Sequence, residues 1–406
     1  MLAALFSLSI AVVAARRLDK PSFGRLSLLL SAQMVLTTFM AGAVGQTAAR
    51  MTAELRERDV PRLRRVTALL VAVGIALSVT VALLCLLGGP AAHAAVLGPG
   101  APADTIAAAA LVLLFAGLIA LQQGLLTGYA AFRELAVSNG VRTVAGVGAL
   151  LALAATLPAA VFAVAIAGAA GFAASAWLWR RVHRGELSSL PWDEWREEAG
   201  ILWTFAVPSW LTGALFVIAA WLGNILTANQ AGGLAEVGSF NAASQWGRSL
   251  LLFVPNAIVA PLLVRMASHL GRGDHAGVTR VARQGVAISL VTTLAPCALV
   301  YLFGMRLLGL YGRGYLNALP VLHILLISSA VASLTVVANA TLYALGRIWT
   351  VAALTACWTA AFLVTLVLRP ADGAHGLAVA YLVAYVVQVI ATVPQVRHVL
   401  RAGAPA

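Results

Sequence analysis

Residues 50–66 read RMTAELRERDVPRLRRV, and residues 265–281 read RMASHLGRGDHAGVTRV. Arg50, Met51, Leu55, Asp59, Arg65 and Val66 recur as Arg265, Met266, Leu270, Asp274, Arg280 and Val281, each pair 215 positions apart. A second block points the same way. Tyr129, Ala130 and Arg133 in GYAAFRELAV correspond to Tyr343, Ala344 and Arg347 in LYALGRIWTV, 214 positions on. The chain therefore reads as two related halves.

Composition says what the halves are made of. Of the 406 residues, 61% are hydrophobic and 10% charged, with a mean hydropathy of +0.93. Soluble chains are about half apolar and a quarter charged, so this is a polytopic membrane protein. Apolar runs of spanning length, about 20 residues, fall near 1–15, 24–48, 66–87, 105–128, 136–156, 159–179, 201–228, 236–263, 284–304, 319–344, 347–368 and 374–396. The first, MLAALFSLSIAVVAA, is short and meets Arg16 and Arg17. It lacks the basic region that precedes a signal-peptide core, so it reads as a membrane helix with a shortened beginning. Twelve spans give six per half, and an even number returns each half to its starting side. The repeats are then parallel, related by a pseudo-two-fold axis along the membrane normal, with a substrate site expected where they meet. The expected organisation is an N-terminal six-helix lobe at 1–182, a cytoplasmic amphipathic linker at 183–200, a C-terminal six-helix lobe at 201–398 and a cytoplasmic tail at 399–406.

The net charge of +13 is loop charge and needs no nucleic acid to explain it. Arginines concentrate in loops 49–65, 180–200 and 264–283, all on one side of a twelve-span chain, whereas 88–104 and 227–236 carry no Lys or Arg. The positive-inside rule puts the basic side, and both termini, in the cytoplasm. The repeated stretch is then the cytoplasmic loop after the second helix of each half, its arginines facing anionic headgroups. Arg16, Arg17, Lys20 and Arg25 are the exception, a basic cluster on the outer side. ELSSLPWDEWREEAG at 186–200, with Trp192 and Trp195 three apart, predicts a short amphipathic helix at headgroup level. Cys85, Cys297 and Cys357 all lie in apolar runs, as small buried hydrophobes do. Their spacing suggests neither a disulfide nor a metal site.

Buried polar residues are costly in a membrane, so they carry information about function. Arg142 and Arg248 stand inside spans, and neither has a basic partner at the repeat offset. A charge at mid-membrane costs about 2.5–3.5 kcal/mol on insertion scales and faces a cavity by default. In SFNAASQWGRSLLLFVPNAIVAP, Asn241, Ser244, Gln245 and Arg248 fall at i, i+3, i+4 and i+7, one face of a helix, and Asn256 continues it. Asn139 and Arg142 make a similar i, i+3 pair. With a span beginning at 136, Arg142 is also within a snorkelling reach of the cytoplasmic end. Every Asp and Glu falls in a loop or at a helix end. A cation exporter needs an intramembrane carboxylate, a Mg²⁺-dependent prenyl-phosphate transferase needs paired acids, and ATP hydrolysis needs a phosphate-cradling GxxxxGK[ST] loop. None is present, so the chain reads as no enzyme, with no catalytic residue, cofactor or metal. A cavity with only positive buried charge suits an anion.

RRLDKPSFGRLSLL after helix one, the RMTAEL…RLRR loop, WTFAVPSWL opening the second half and GSFNAASQW at helix eight resemble the polysaccharide-biosynthesis flippases of the O-antigen type. These belong to the multidrug, oligosaccharidyl-lipid and polysaccharide exporter superfamily. The resemblance implies an all-α, MATE-like polytopic membrane protein, about twelve transmembrane helices in two pseudo-symmetric six-helix bundles around a V-shaped central cavity. It implies a transporter of the bacterial cytoplasmic membrane that flips undecaprenyl-pyrophosphate-linked oligosaccharide to the outer leaflet by alternating access. Arg142 and Arg248 would meet the pyrophosphate or acidic sugars, Arg25 would stand at the outer mouth, and Asn139, Asn241, Gln245 and Asn256 would line the cationic cavity. Expected partners are the lipid-linked glycan, membrane lipids and envelope-assembly proteins such as a polysaccharide polymerase. Two further helices found in the related lipid II flippases are missing from this chain. The competing readings are a multidrug antiporter of the same fold and a non-transporting membrane scaffold, or an enzyme, for envelope glycan assembly.

Overall fold

A computed structural model describes residues 2–55, 58–182, 194–200, 207–251, 255, 258–259, 262, 265–266, 268–269, 272, 274–345, 347–369 and 372–402. The described residues are helical and contain no strand. In order they form α1 (Leu2–Arg17), α2 (Lys20–Phe39), a π-helical segment (Met40–Gly45), α3 (Gln46–Leu55), α4 (Val60–Leu87), α5 (Gly89–Leu97), α6 (Ala103–Gly128), α7 (Phe132–Leu153) and α8 (Leu157–Val182). A 3₁₀ turn (Trp195–Glu198) is followed by α9 (Val207–Ala228), α10 (Gly233–Ser244), a second π segment (Gln245–Leu250), α11 (His275–Gly309), α12 (Leu319–Ala344), α13 (Ile348–Leu368) and α14 (Gly373–Ala402). Helix lies on every apolar run of the sequence. Among the described residues, α4, α6, α7, α8, α11, α12, α13 and α14 are each long and apolar enough to cross a membrane. One stretch read as a plain connection, 88–104, contains the helix α5. Leu87, Leu302 and Leu368 are about three-quarters exposed, which suits lipid and would be a liability in water.

Two compact units divide the chain, one of Leu5–Trp221 and one of Leu222–Ala406 with Met1–Ala4, so the division falls inside α9. In the first unit α6 packs against α4 and α8, and α8 against α7. The π segment comes so close to α6 that a Cβ on Gly124 would sit 2.8 Å from the Gly45 carbonyl oxygen. Glycine is required there, as at other close helix crossings in membranes. In the second unit α12 and α13 pack on α14. Its core holds Trp358 stacked on Phe362 at 5.2 Å, with Tyr381 edge-on to Phe362 at 4.9 Å and Phe240 of α10 5.7 Å from Tyr381.

The repeated stretch proves to be a helix-starting device. Asp59 precedes α4 and accepts the Arg62 N–H at 2.9 Å, and Asp274 precedes α11 and accepts the Gly277 N–H at 2.7 Å. A helix begins with backbone N–H groups that lack partners, and a capping Asp satisfies one of them. The matched apolar positions pack beneath: Val66 and Val281 are buried, as is Met266, whose cluster includes Leu262, Val278 and Val337.

The second sequence match needs correction. Helices α6 and α12 end at Gly128 and Ala344, and α7 and α13 begin at Phe132 and Ile348, an offset of 216. Both turns close with the same bond, Ala131 N–H to the Leu126 carbonyl and Arg347 N–H to the Leu342 carbonyl, each 2.9 Å. Tyr129 thus corresponds to Leu345, and its identity with Tyr343 is two residues out of register. The two π segments are also not equivalent, being 205 positions apart rather than 215.

A polar seam around Arg142

Arg142 lies ten residues into α7, about 15 Å along the axis from the helix start. Apolar periodicity set the span at 136, but the polar first turn, Phe132-Arg133-Glu134, is already helical. The arginine is therefore at the middle of the helix rather than near its start. Its side chain is half-buried and lies on α8 at Gly171, where a Cβ would fall 3.0 Å from Arg142 Cβ and 3.2 Å from its Cδ. Any larger residue would displace the guanidinium stem.

Neighbouring polar groups tie α6, α7 and α8 together at this depth. Gln123 Nε2 donates to Asn139 Oδ1 at 3.1 Å, and Asn139 Nδ2 donates to the Leu135 carbonyl at 3.0 Å. Thr143 Oγ1 donates back to the Asn139 carbonyl at 2.8 Å. Ser138 and Ser175 share a hydroxyl–hydroxyl bond, both buried. Asn139 is thus engaged at both ends of its amide, which suits holding α7 in place beside Arg142. Ser138 and Ser175 carry no local signature in the sequence, because their pairing depends on how α7 and α8 pack.

In the second unit Asn241 is half-buried and donates to the Val237 carbonyl at 2.9 Å, while buried Ser244 donates to the Asn241 carbonyl at 3.2 Å. The π segment starts at Gln245. Each residue there turns through less than the 100° of an α-helix, so the regular α-helical spacing of this face runs only as far as Ser244. Ser329 Oγ of α12 donates to the Gly247 carbonyl at 2.6 Å, fastening the π segment to its neighbour. The side chain of Arg248, and Asn256 altogether, lie outside the described residues.

Arg25, expected at an outer mouth, has a structural engagement. Its Nη1 donates to the Leu97 carbonyl at 3.2 Å and the Gly98 carbonyl at 3.5 Å. These are the carbonyls at the C-terminal end of α5, where a cation is favoured.

Two arginines of the repeated loop face protein rather than headgroups. Arg62 Nε lies 3.2 Å from both carboxylate oxygens of Glu198, Arg65 Nε lies 3.6 Å from Glu198 Oε1, and Arg65 Nη1 lies 3.8 Å from Glu194. Glu198 is buried. Its segment is a 3₁₀ turn docked on α4. Residues 186–193 of the expected amphipathic helix, Trp192 among them, lie outside the described residues.

Among the described residues every carboxylate is at a helix end or in a connection. Asp104, Glu134 and Glu236 occupy first helical turns, and Asp59 and Asp274 are caps. Glu236 also accepts the Ala374 N–H at 3.1 Å. No group of His, Cys, Asp and Glu among them could hold a metal ion.

Helices of spanning length, a cation at the middle of one of them and carboxylates kept to the ends are those of a multi-pass membrane protein. Residues 1–266 match the polysaccharide biosynthesis protein family, and the chain belongs to it. Its fold is that of the MATE transporters. An inward-facing multidrug resistance MATE family transporter of the MOP superfamily aligns with a TM-score of 0.81 at 14% identity, covering 99% of this chain and 95% of that one. A Vibrio cholerae MATE transporter aligns at 0.65 with 18% identity, covering 98% and 93%. A MOP superfamily transporter from Pyrococcus furiosus, whose binding pocket has a reversed polarity suggesting a different function, aligns at 0.65 with 14% identity, covering 99% and 93%. No curated protein matches the chain.

Proposed function

We propose that the chain flips a polyprenyl-pyrophosphate-linked oligosaccharide from the cytoplasmic to the outer leaflet of a bacterial cytoplasmic membrane, with both termini in the cytoplasm. The observation that carries this reading is Arg142 at the middle of α7, in a member of the polysaccharide biosynthesis family, with the described carboxylates at helix ends. An intramembrane arginine recognises phosphate bidentately. Arg248, Asn241 and Gln245 are also proposed as substrate-binding residues, and Asn139 is proposed to position Arg142. An anion leaving a negative-inside cell is driven by about 2.3 kcal/mol per charge per 100 mV, so export needs no proton-binding carboxylate. The test is rescue of a bacterium lacking its own O-antigen-type flippase, comparing the native chain with Arg142→Ala and Arg248→Ala at matched membrane expression. Rescue by the native chain and loss in the variants supports the reading. Full rescue by both variants removes the arginines from the site.

A second reading, multidrug export, is favoured by the similarity in fold to a multidrug resistance transporter. Efflux of organic cations by the purified chain in vesicles, unaffected by Arg142→Ala, would select it.

A further inference from the structure

Within the first unit, α2, α4, α5, α6 and α9 line a cavity of about 410 Å³. Its walls are hydrocarbon, among them Val35, Leu36, Val81, Leu84 and Val96. Trp221 also reaches the wall, and its indole N–H donates to the Ala95 carbonyl at 3.1 Å. Water settles in a cavity only with two to four polar partners, which such walls do not supply. A cavity of this size with such a lining accepts a segment of hydrocarbon chain.

The roof of the cavity is α5. Two hydrogen bonds pin its C-terminal end from opposite elements, one from Trp221 of α9 to Ala95 and one from Arg25 of α2 to Leu97. Val96, between those two carbonyls, is part of the wall. On α2, Arg25 precedes the lining residue Ala32 by seven positions, the same helix face and about 10 Å along the axis. An apolar slot therefore ends at a guanidinium that carries five N–H donors in all. That is the complement of a single-chain lipid with a phosphate at its end.

We infer that this cavity binds the first isoprenoid segment of the transported lipid, with the lipid phosphate directed towards Arg25. The inference rests on the lipid-linked glycan reading and adds to it the path of the tail. The test uses the full chain in lipid nanodiscs with two photoreactive probes. One is a polyprenyl phosphate carrying a diazirine in its first isoprene units, and the other is phosphatidylglycerol carrying it on an acyl chain. The polyprenyl probe is expected to label the lining residues of α2, α4 and α5. Filling the slot by Val81→Phe, or by Val35→Phe from the facing helix, is expected to cut that labelling about ten-fold. Leu83→Phe is the control, since Leu83 is 47% exposed and outside the lining. Polyprenyl labels on the native chain confined to other helices would overturn the inference whether or not the variants fold. So would equal labelling of these walls by phosphatidylglycerol, or labelling unchanged in well-folded V81F and V35F. The two hypotheses fail separately. Slot labelling without rescue of the flippase-deficient strain removes the transport reading alone, and rescue with labels elsewhere removes the tail site alone.

Discussion

At the scale of single residues, the two aspartates of the repeat show how a sequence match acquires a physical cause. Asp59→Ala should cost about 1 kcal/mol of stability through the lost cap, read by thermal unfolding in detergent. Asp274 adds a pH signature. The Gly277 N–H, then the His269 side chain, hold its carboxyl below the usual range. A depressed value means that the cap is fully effective above the ordinary Asp value of about 3.9. It is lost as pH falls through the lowered one. Protection of the Gly277 amide from hydrogen exchange, taken relative to its intrinsic rate at each pH, should fall only in that acid range, and Asp274→Asn should flatten the dependence. Arg142 carries the functional prediction. A charge-assisted bond to substrate is worth about 1.5–3 kcal/mol, so Arg142→Ala should lower flipping about 10- to 100-fold. Arg142→Lys, keeping charge but not the fork, should restore part of it. Unchanged flipping in reconstituted vesicles by Arg142→Ala would argue against any contact with substrate.

Among elements, the close crossing of the first π segment with α6 is the most sensitive point. Gly124→Leu forces the backbones apart and should cost about 1–3 kcal/mol through overpacking, seen as a fall in melting temperature at unchanged helicity. The 3₁₀ turn at Trp195–Glu198 makes a different prediction. Glu198 faces Arg62 and Arg65 at once, so Glu198→Gln should loosen this turn from α4. Tryptic cleavage after Arg196, an exposed residue, should then rise several-fold, and added salt should produce part of the same effect in the native chain. Cleavage unaltered by the substitution would show that the turn is held by other contacts.

For the molecule as a whole, an arginine at mid-helix with the described carboxylates at helix ends or in connections has an electrical consequence. On the proposed function, collapsing the membrane potential at constant pH should slow flipping, whereas collapsing the pH gradient at constant potential should leave it unchanged. A proton antiporter would respond in the reverse way. The family assignment and the fold stand independently of that result, because they rest on residues 1–266 and on an alignment that spans nearly the whole chain.

Sequence alone determined that the chain is a helical membrane protein and showed a stretch at 50–66 that recurs 215 positions on. Long apolar runs and a repeated cap are local, and hydrophobicity acts on each run separately. Arg142 was legible as an intramembrane charge for the same reason. Its depth was not, since a polar helical turn at 132–134 is invisible to apolar periodicity. The register of the second repeat was misread because a Tyr-Ala identity fell two residues from the true equivalence, which only the helix ends at Gly128 and Ala344 reveal. The π segments escaped a reading that assumed 3.6 residues per turn throughout. Tertiary structure decided the rest: Arg62 and Arg65 meeting Glu198, Gly171 making room for Arg142, and α5 roofing an apolar slot beside Arg25. These contacts join residues up to 136 positions apart, and their geometry exists only once the helices have packed.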